Sequence, residues 1–497
     1  MEQNGQAFGK LRRVVWPIRG HELKKFLPMF FMFFFISLVY SLLRNTKDSL
    51  IVTAPGGGAD LIPFLKVYGV IPMSVLYLLV YAKLSNGLSK QALFHTALAP
   101  FFLFFLAFAF VFPVRESIQP HWQAQLPPGL AHLAAMARHW VLCLFYVMAE
   151  LWGSVALSLL FWTFANDIVR IEESRRFYAL FGLGANLALI AVKFANQFIH
   201  HLEQFLIRRR PMADWSAYMI LLMGVVLLSI VCILLIYRWI NREVLTDPRF
   251  YTPAEQLEHH AARPRMSLPE AFRFLLRSRY LLWIAVLVIS YGIAINLIEV
   301  TWKTHVGLLH PQPKDYQDFM ANFSLATGLT TSFLMLFVAN NLIRVFGWTL
   351  AALATPVVLL VTGIGFFGFI LCEDSAAPLL ADFGTTPLAA AVLFGTVQNV
   401  LSKATKYSLF DPTKEMAYIP LDPESKVKGK AAIDVVGARL GKAGGSLIQQ
   451  LLIGLFHSLR AVPGQIAVIL LVVIGAWIWA AQRLGRAYGR LVQGRHP

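Results

Sequence analysis

The sequence predicts an all-α protein that crosses a membrane many times. Hydrophobic residues make up 57% of the 497 residues, charged residues make up only 14%, and the mean hydropathy is +0.60. An ordinary soluble domain is about 25% charged. A soluble fold has too little interior to bury a chain that also holds 39 Phe and 12 Trp. The same composition excludes a disordered, collagen-like or disulfide-stabilised chain.

Twelve runs of the sequence are long and apolar enough to cross a bilayer as helices. A membrane-spanning helix needs roughly 20 mostly apolar residues. In chain order the twelve runs are 26–52, 61–84, 91–112, 139–164, 177–204, 215–237, 280–302, 319–339, 346–372, 386–408, 431–456 and 465–482.

The longest polar stretch divides these runs into six and six. It covers 238–279 and is rich in Arg and Pro, which suits a linker on one face of the membrane. We therefore predict a six-helix half at 26–237 and a second six-helix half at 280–482. The tails that flank them are 1–25 and 483–497.

The placement of Lys and Arg predicts which side of the membrane carries the termini. With the N-terminus inside, thirty basic residues fall on the inner side and eight on the outer side, where Arg208–Arg210 form a local exception. Cytoplasmic loops carry the excess of Lys and Arg in membrane proteins. No small-residue cleavage site follows the basic N-terminal tail, so we predict no signal peptide. Both termini are expected to be cytoplasmic.

Short motifs recur in the two halves at one constant spacing. The segment 40–45 (YSLLRN) resembles 291–296 (YGIAIN), and 173–175 (ESR) resembles 424–426 (ESK). Both pairs are 251 residues apart. A shared spacing at equivalent places indicates duplication of a six-helix unit. Two parallel six-helix halves around a central cavity describe a major-facilitator-like fold, which we predict with pseudo-symmetric halves.

We single out ten charged residues within the predicted spans, and we count Lys83, Lys403 and Lys406, near the span ends, with the adjoining loops. An ion at the centre of a bilayer costs from a few kcal/mol to more than roughly 10 kcal/mol. These side chains must therefore face a wet cavity or one another, which makes them the main functional signal. They are Arg44, Lys47, Lys66, Lys193, Arg439 and Lys442 among the bases, and Asp48, Glu150, Glu299 and Asp434 among the acids.

The sign of these charges indicates the kind of cargo. The six bases exceed the four acids by two, and a buried, uncompensated positive charge is costly. A polyanion that entered the cavity would relieve this cost, so phosphate-bearing or carboxylate substrates are favoured over cationic drugs. Nearby aromatic and amide side chains could stack on or hydrogen-bond a base or sugar, although ordinary helix packing explains them as well. They are Tyr40, Asn45, Asn186, Tyr291 and Asn296.

The charged residues differ in how strongly they indicate function. Glu150 and Glu299 lie deep within apolar runs, Lys66 follows Pro63-Phe-Leu, and Lys442 lies in the glycine-rich segment 441–445. We expect these four to act in function. Structural pairing is an equal alternative for Arg44, Lys47, Asp434 and Arg439, and a structural role is favoured for Lys193.

Several motifs resemble cofactor or metal sites but lack the residues or the spacing that such sites need. The segment 437–443 (GARLGKA) has one residue too few between its glycines for a phosphate-binding P-loop, and it lacks Ser or Thr after the Lys. The pairs His200/His201 and His259/His260 lack the spacing of a helical metal site. The three cysteines, Cys143, Cys232 and Cys372, form neither a metal motif nor a disulfide framework. We expect no metal, no cofactor and no nucleic-acid partner.

Five longer stretches carry a family resemblance. They are 145–154 (FYVMAELWGS), 181–186 (FGLGAN), 295–303 (INLIEVTWK), 407–422 (YSLFDPTKEMAYIPLD) and 426–436 (KVKGKAAIDVV). In these stretches the sequence closely resembles the nucleotide transporter family, the ATP/ADP translocases of obligate intracellular bacteria and plastids. The resemblance runs from about residue 20 to about residue 485 without a large gap.

The resemblance implies exchange of external ATP for internal ADP, with or without phosphate, by a monomer in a bacterial inner membrane. It also implies four intramembrane residues that are important for transport, which match Lys66, Glu150, Glu299 and Lys442. In this interpretation the two lysines hold phosphate oxygens, and the two glutamates pair with those lysines in the empty site or gate the halves. Asn186 and Asn296 are weaker candidates for contacts to the base or ribose.

Two alternatives remain open at this point. Because members of the family differ in cargo, the protein could transport NAD, a nucleoside triphosphate together with protons, or a sugar phosphate. A polytopic membrane enzyme, such as a lipid transferase, would need paired carboxylates at the membrane surface. The segment 411–424 is the only acid-rich candidate, and its surplus lysines fit a connection between two helices better.

Overall fold

A computed structural model describes residues 18–120, 128–209, 214–247, 250 and 268–493 of the chain. Within these ranges the secondary structure is helical and contains no strand. The all-α class that the composition predicts is therefore confirmed.

Twelve long helices make up most of the described chain. The first six are α1 (Leu23–Val52), α2 (Leu61–Ser85), α3 (Lys90–Ile118), α4 (Trp140–Ile168), α5 (Ile171–Arg209) and α6 (Asp214–Glu243). The second six are α7 (Arg279–Leu309), α8 (Pro313–Val338), α9 (Ala339–Leu371), α10 (Pro387–Ala417), α11 (Pro423–Phe456) and α12 (Pro463–Gln493). Short helices at Pro128–Arg138, Leu268–Arg277 and Glu373–Asp382 precede α4, α7 and α10.

Each of the twelve predicted runs lies within one of these helices to within one residue at its ends. In the described residues, ten helices are long and apolar enough to cross a membrane. The helix α10 meets the short helix Glu373–Asp382 at a bend of 94°, and together they pass the same test. The apolar part of α11 is limited to Ala443–Phe456, because its first turns carry several charged residues.

Local sequence signals explain where several helices begin. Ser89 accepts a hydrogen bond from the backbone N–H of Ala92 at the start of α3, and Asp422 accepts one from Ser425 at the start of α11. Such caps satisfy backbone donors that have no partner within the helix. Pro follows the capping residue at the start of α8, α10 and α11, where its missing N–H costs nothing.

Four helices contain π-helical segments, two in each half. These segments are Leu65–Val70 in α2, Gly153–Phe161 in α4, Leu334–Val338 in α8 and Lys406–Phe410 in α10. Helices α2 and α8 are each the second of their half, and α4 and α10 are each the fourth. Widened turns of this kind are frequent at functional sites.

Several contacts between the two halves lie on the membrane side opposite the termini, which we call the far side. Ser49, near the end of α1, donates a hydrogen bond to the carbonyl oxygen of Pro313 over 3.0 Å. Gln450 of α11 donates to the carbonyl oxygen of Pro63 in α2 over 3.0 Å. Helix α5 packs along α8, whereas α2 contacts α11 through residues 61–70 at its far-side end. The described contacts of α2 with α11 therefore lie towards the far side, whereas α5 and α8 are in contact along much of their length.

Candidate functional site

Eight charged side chains gather near the middle of the helices, where the two halves face each other. They come from α1, α2, α4, α7 and α10. We call this group the central cluster. Its five cations are Arg44, Lys47, Lys66, Lys303 and Lys403, and its three carboxylates are Asp48, Glu150 and Glu299.

Asp48 forms the most deeply buried part of the central cluster. Its Oδ1 atom lies 2.8 Å from the Lys47 ammonium, and its Oδ2 atom lies 2.7 Å from the Lys303 ammonium. Lys47 also reaches Oε1 of Glu150 over 3.0 Å and lies 4.0 Å from the centre of the Tyr146 ring. The Asp48 carboxylate therefore links α1 to α7, one helix from each half.

Glu299 of α7 receives cations from both halves on a single oxygen. Its Oε1 atom lies 2.6 Å from Nη2 of Arg44, 3.1 Å from Nζ of Lys303 and 3.6 Å from Nζ of Lys403. Arg44 belongs to α1, whereas Lys403 belongs to α10. Glu299 therefore holds the two halves together and concentrates positive charge at one point.

Lys66 lies in the π-helical segment of α2 and crosses to the other half. Its ammonium donates a hydrogen bond to Oδ1 of Asn296 on α7. The Asn296 amide in turn donates to Oγ of Ser446 over 2.8 Å. Gly445 is required beside it, because a Cβ atom at that position would lie 2.8 Å from Nδ2 of Asn296. This chain of polar groups connects α2, α7 and α11.

The central cluster combines a positive surplus with partial exposure. Five cations against three carboxylates leave a formal surplus of two positive charges among the described side chains. The side chain of Glu150 is 28% exposed and that of Arg44 is 23% exposed. Because Arg44 bonds to the opposite half, its exposed surface faces the space between the halves rather than lipid. The cluster can therefore receive an anion from that space.

Aromatic residues lie around the central cluster. Tyr407 of α10 is 44% exposed, although it lies in a membrane-spanning helix, and its hydroxyl is within electrostatic range of Arg44 on α1. The Tyr40 ring packs against Gly153, where a Cβ atom would lie 2.5 Å from the ring. The Tyr291 ring stacks on Phe410 with centroids 5.2 Å apart. Tyr40 and Tyr407 thus offer flat surfaces near the charges.

A second polar group joins the halves near the far-side ends of α5, α6 and α8. We call it the far-side cluster, and it consists of His200, Glu203, Lys314 and Asp318. His200 places Nδ1 3.2 Å from Glu203 and Nε2 3.1 Å from Asp318. Lys314 lies 3.0 Å from the other oxygen of Glu203, which is buried. These contacts hold α5 and α8 together.

Asn196 and Tyr218 extend the far-side cluster to α6. The Tyr218 hydroxyl donates a hydrogen bond to the Asn196 side chain, whose amide donates to Asp318. Lys193, one turn earlier in α5, lies within electrostatic range of Asp318. Lys193 is not a member of the central cluster.

Comparison with known proteins identifies the family. Residues 1–488 match the family described as TLC ATP/ADP transporter. The chain belongs to this transporter family. It is 52% identical to ADP,ATP carrier protein 1 of Chlamydia pneumoniae, with 97% of this chain and 95% of that protein covered. It is 46% identical to the chloroplastic ADP,ATP carrier protein 1 of Arabidopsis thaliana, with 96% and 76% covered. The Rickettsia bellii carrier protein 1 is 41% identical, with 97% of both chains covered.

Solved structures support the predicted major-facilitator-like fold of this transporter. A D-xylose-proton symporter superimposes with a TM-score of 0.55 at 13% identity, with 93% of this chain and 97% of that chain covered. A nucleoside transporter superimposes with a TM-score of 0.52 at 12% identity, with 94% and 99% covered. At such identities the likeness shows the fold alone. The family match does not favour a membrane enzyme.

The structure brings together most of the residues that the sequence singles out in this transporter. Lys66, Glu150 and Glu299 lie in the central cluster, as do the weaker candidates Arg44 and Lys47, with Asn296 beside them. Asn186 lies elsewhere, where its amide donates to the sulfur of Met335 over 3.3 Å. The side chains of Lys442, Asp434 and Arg439 lie outside the described part of the structure, although all three residues belong to α11.

The contacts of Lys66 differ from the sequence expectation. We expected the glutamates to pair with Lys66 in an empty site, but its ammonium donates to the Asn296 side chain. Glu299 instead pairs with Arg44, Lys303 and Lys403. The difference arises because other cations lie closer to the carboxylate than the sequence alone suggests.

Two cluster members were missed because the sequence analysis assigned them to loops. Lys303 lies one residue beyond the run that ends at 302, and Lys403 was counted with the following loop although the run 386–408 includes it. Helix α7 continues to Leu309, and Lys403 lies on the buried face of α10. A signal existed for Lys303, because it follows Glu299 by four residues and therefore lies on the same helix face. No comparable acidic neighbour marks Lys403.

Proposed function

We propose that this transporter exchanges external ATP for internal ADP, with or without phosphate, by alternating access. The observation that carries the proposal is the positive surplus of the central cluster at the contact between the halves. A nucleoside di- or triphosphate would neutralise that surplus, and charge-assisted hydrogen bonds to phosphate are among the strongest available. The family match supports adenine nucleotides as the cargo.

In this proposal Lys66 and Lys442 hold phosphate oxygens of the nucleotide. Glu150 and Glu299 neutralise neighbouring cations while the site is empty, which limits the cost of keeping those cations buried. Asn296 orients the Lys66 ammonium and is the proposed contact to the ribose or base. Asn186 is a weaker candidate for such a contact, because its amide is directed towards Met335.

Alternating access requires that the halves separate on the far side and approach near the termini. The far-side cluster and the Ser49–Pro313 hydrogen bond are contacts that must break in the outward-open state. We infer that the structure corresponds to an inward-open state, with the termini in the cytoplasm. We also propose that the protein acts as a monomer in a bacterial inner membrane, with the two six-helix halves moving against each other.

The charges of the substrates set an energetic condition on the exchange. Exchange of ATP⁴⁻ for ADP³⁻ moves one net charge, worth about 2.3 kcal/mol per 100 mV of membrane potential. A potential that is negative inside opposes ATP entry by this amount. Outward movement of phosphate together with ADP would offset the charge, and a steep adenine nucleotide gradient would also drive entry.

Exchange is tested with purified protein in liposomes. Vesicles loaded with ADP should take up labelled ATP, whereas vesicles loaded with buffer alone should not. Unlabelled NAD, other nucleoside triphosphates and a sugar phosphate serve as competitors, and we expect ADP and ATP to compete best. Equal uptake with and without internal ADP would overturn exchange. Stronger competition by NAD or a sugar phosphate would overturn the cargo.

A further inference from the structure

The strongest unexplained feature of the central cluster is the environment of Lys403. Its side chain is only 7% exposed, yet its ammonium has no hydrogen-bond partner among the described residues. The nearest carboxylate oxygen, Oε1 of Glu299, is 3.6 Å away, beyond hydrogen-bonding distance. The Phe323 ring centre lies 4.5 Å from Nζ. A buried ammonium in this state is unfavourable unless another group completes its contacts.

Two further cations contact the same Glu299 oxygen that lies nearest to Lys403. Arg44 and Lys303 contact the same Glu299 oxygen over 2.6 and 3.1 Å. One carboxylate oxygen therefore faces three cations, although it carries at most one negative charge and has too few lone pairs for good contacts with all three. The contacts are unequal for this reason, and Lys403 has the longest.

We propose that Arg44, Lys303 and Lys403 form a phosphoryl-binding subsite, and that the Glu299 carboxylate occupies it while the transporter is empty. The inference rests on the proposed function and deepens it. A phosphoryl group carries up to two negative charges and three outward oxygens, so each cation receives an oxygen of its own. Arg can hold two of these oxygens in its planar fork, and lysines bind phosphate as point charges.

This subsite and the Lys66 position are formed by different helices. Lys66 bonds to Asn296 and connects α2 to α11, whereas the subsite is built from α1, α7 and α10. Two positions for phosphate groups suit either the terminal phosphate of the nucleotide or a free phosphate ion beside it. The chemistry of recognition is the same, and the experiment separates these two sources.

The test compares ligand binding by purified wild-type protein and Lys403→Gln, which removes the charge and keeps a side chain of similar length. Lys90→Gln is the control, since Lys90 is an exposed lysine outside the cluster. Calorimetry measures affinities for adenosine, AMP, ADP, ATP and orthophosphate, the last with and without ADP. Loss of one charge-assisted contact should weaken phosphoryl binding about 10- to 100-fold.

The pattern of losses identifies the source of the phosphoryl group. If the subsite takes the terminal phosphate, Lys403→Gln weakens ATP or ADP binding and leaves adenosine binding unchanged. If it takes free phosphate, the variant loses orthophosphate binding while its affinity for ADP is retained. Either result supports the subsite. Wild-type affinity for every ligand overturns it, and so does an equal loss for all ligands including adenosine, which would indicate a structural role.

A second variant keeps the proposal testable if Lys403→Gln does not fold. Glu299→Gln removes the competing carboxylate, so orthophosphate or ATP should bind about tenfold tighter or more and raise the melting temperature more than in the wild type. Weaker binding would overturn the proposal that the Glu299 carboxylate occupies the phosphoryl subsite in the empty transporter. Failure of the proposed function itself would look different, because the wild-type protein would then bind no adenine nucleotide.

Discussion

The central cluster and the far-side cluster are built from the same kinds of side chain but differ in their charge balance. In the far-side cluster Glu203 and Asp318 face Lys314 and both ring nitrogens of His200. His200 faces a carboxylate at each ring nitrogen, and with His200 protonated the four groups are balanced. The central cluster has five cations for three carboxylates.

This difference distinguishes a contact between helices from a binding site. A balanced group satisfies itself, so it stabilises one arrangement of the halves and needs no ligand. An unbalanced group is strained when empty and gains most when an anion arrives. On this view the far-side cluster controls which side is open, whereas the central cluster selects what is carried. Substitutions that remove equivalent groups from the two clusters should therefore have different effects.

Removal of the Glu299 carboxylate should have the largest effect. Glu299→Gln leaves three cations without their shared anion in the empty transporter, and breaking a buried ion pair costs about 3–5 kcal/mol. We expect ATP uptake into ADP-loaded liposomes to fall at least about 100-fold. The reason is that the empty transporter can no longer change between its inward-open and outward-open states. The melting temperature without ligand should fall as well.

Glu116→Gln is the matched control for Glu299→Gln, because it makes the same chemical change at an exposed side chain in the last turn of α3. Its uptake should equal that of the wild type. Wild-type exchange by Glu299→Gln would show that the central carboxylate is not needed, and the contrast between the clusters would then lose its basis.

Removal of the Lys66 ammonium should have the next largest effect. Lys66→Gln removes a cation whose only direct hydrogen bond in the described structure is to Asn296, so the protein should stay folded. Loss of one charge-assisted contact to phosphate is worth about 1.5–3 kcal/mol. We therefore expect the apparent ATP affinity in uptake assays to weaken about tenfold or more. Lys66→Arg should recover part of the loss, whereas equal affinities for all three proteins would exclude Lys66 as a phosphate ligand.

Hydropathy was sufficient to predict the twelve helices, because the bilayer requires about 20 apolar residues per span regardless of the rest of the fold. Isolated charges within those spans were equally visible, and they led to Lys66, Glu150 and Glu299. These features depend on local composition alone.

The pairing of the charges could not be predicted, because it depends on contacts between distant parts of the chain. Arg44 and Glu299 are 255 residues apart, and nothing local to either residue identifies the other. Lys303 and Lys403 were missed because charged residues near the end of an apolar run look like loop residues. In the folded protein the neighbouring helices bury them, so their position relative to other helices decides their role.

A glycine at the contact between the halves provides a smaller perturbation. A Cβ atom on Gly328 of α8 would lie 2.8 Å from the carbonyl oxygen of Asn186 and 3.0 Å from Cβ of Leu189, both on α5. Because backbone atoms cannot move aside, Gly328→Ala should disfavour the close approach of α5 and α8 by about 1–3 kcal/mol. We expect a lower melting temperature and a slower exchange rate, with ATP affinity changed less than by Lys66→Gln.

Gly368→Ala in α9 is the control for Gly328→Ala. No heavy atom lies within 4 Å of a Cβ atom at that position, so the substitution should be neutral or slightly stabilising. If both alanine variants behave alike, close packing of α5 on α8 does not limit the cycle.

The smallest effect is expected from Asp318→Asn, which removes a carboxylate from the far-side cluster. Its side chain is 47% exposed, so solvent screens its attraction to His200 and the loss should be less than about 1 kcal/mol. This corresponds to at most about a fivefold shift towards the outward-open state. A cysteine at Ser49, in a protein without Cys143, Cys232 and Cys372, should then react up to about fivefold faster with an impermeant maleimide from the far side.

Asp318→Asn and Glu299→Gln make one chemical change in two clusters, so their outcomes together decide between a balanced contact and a binding site. The Asp318 variant should keep its ATP affinity in the purified state, because no cargo contact is lost, and its exchange rate should change by less than about tenfold. If it instead abolished ATP binding as a phosphate ligand would, the far-side cluster would also bind cargo. A cluster without net charge would then bind an anion. Charge balance would therefore not distinguish the far-side cluster from the central cluster.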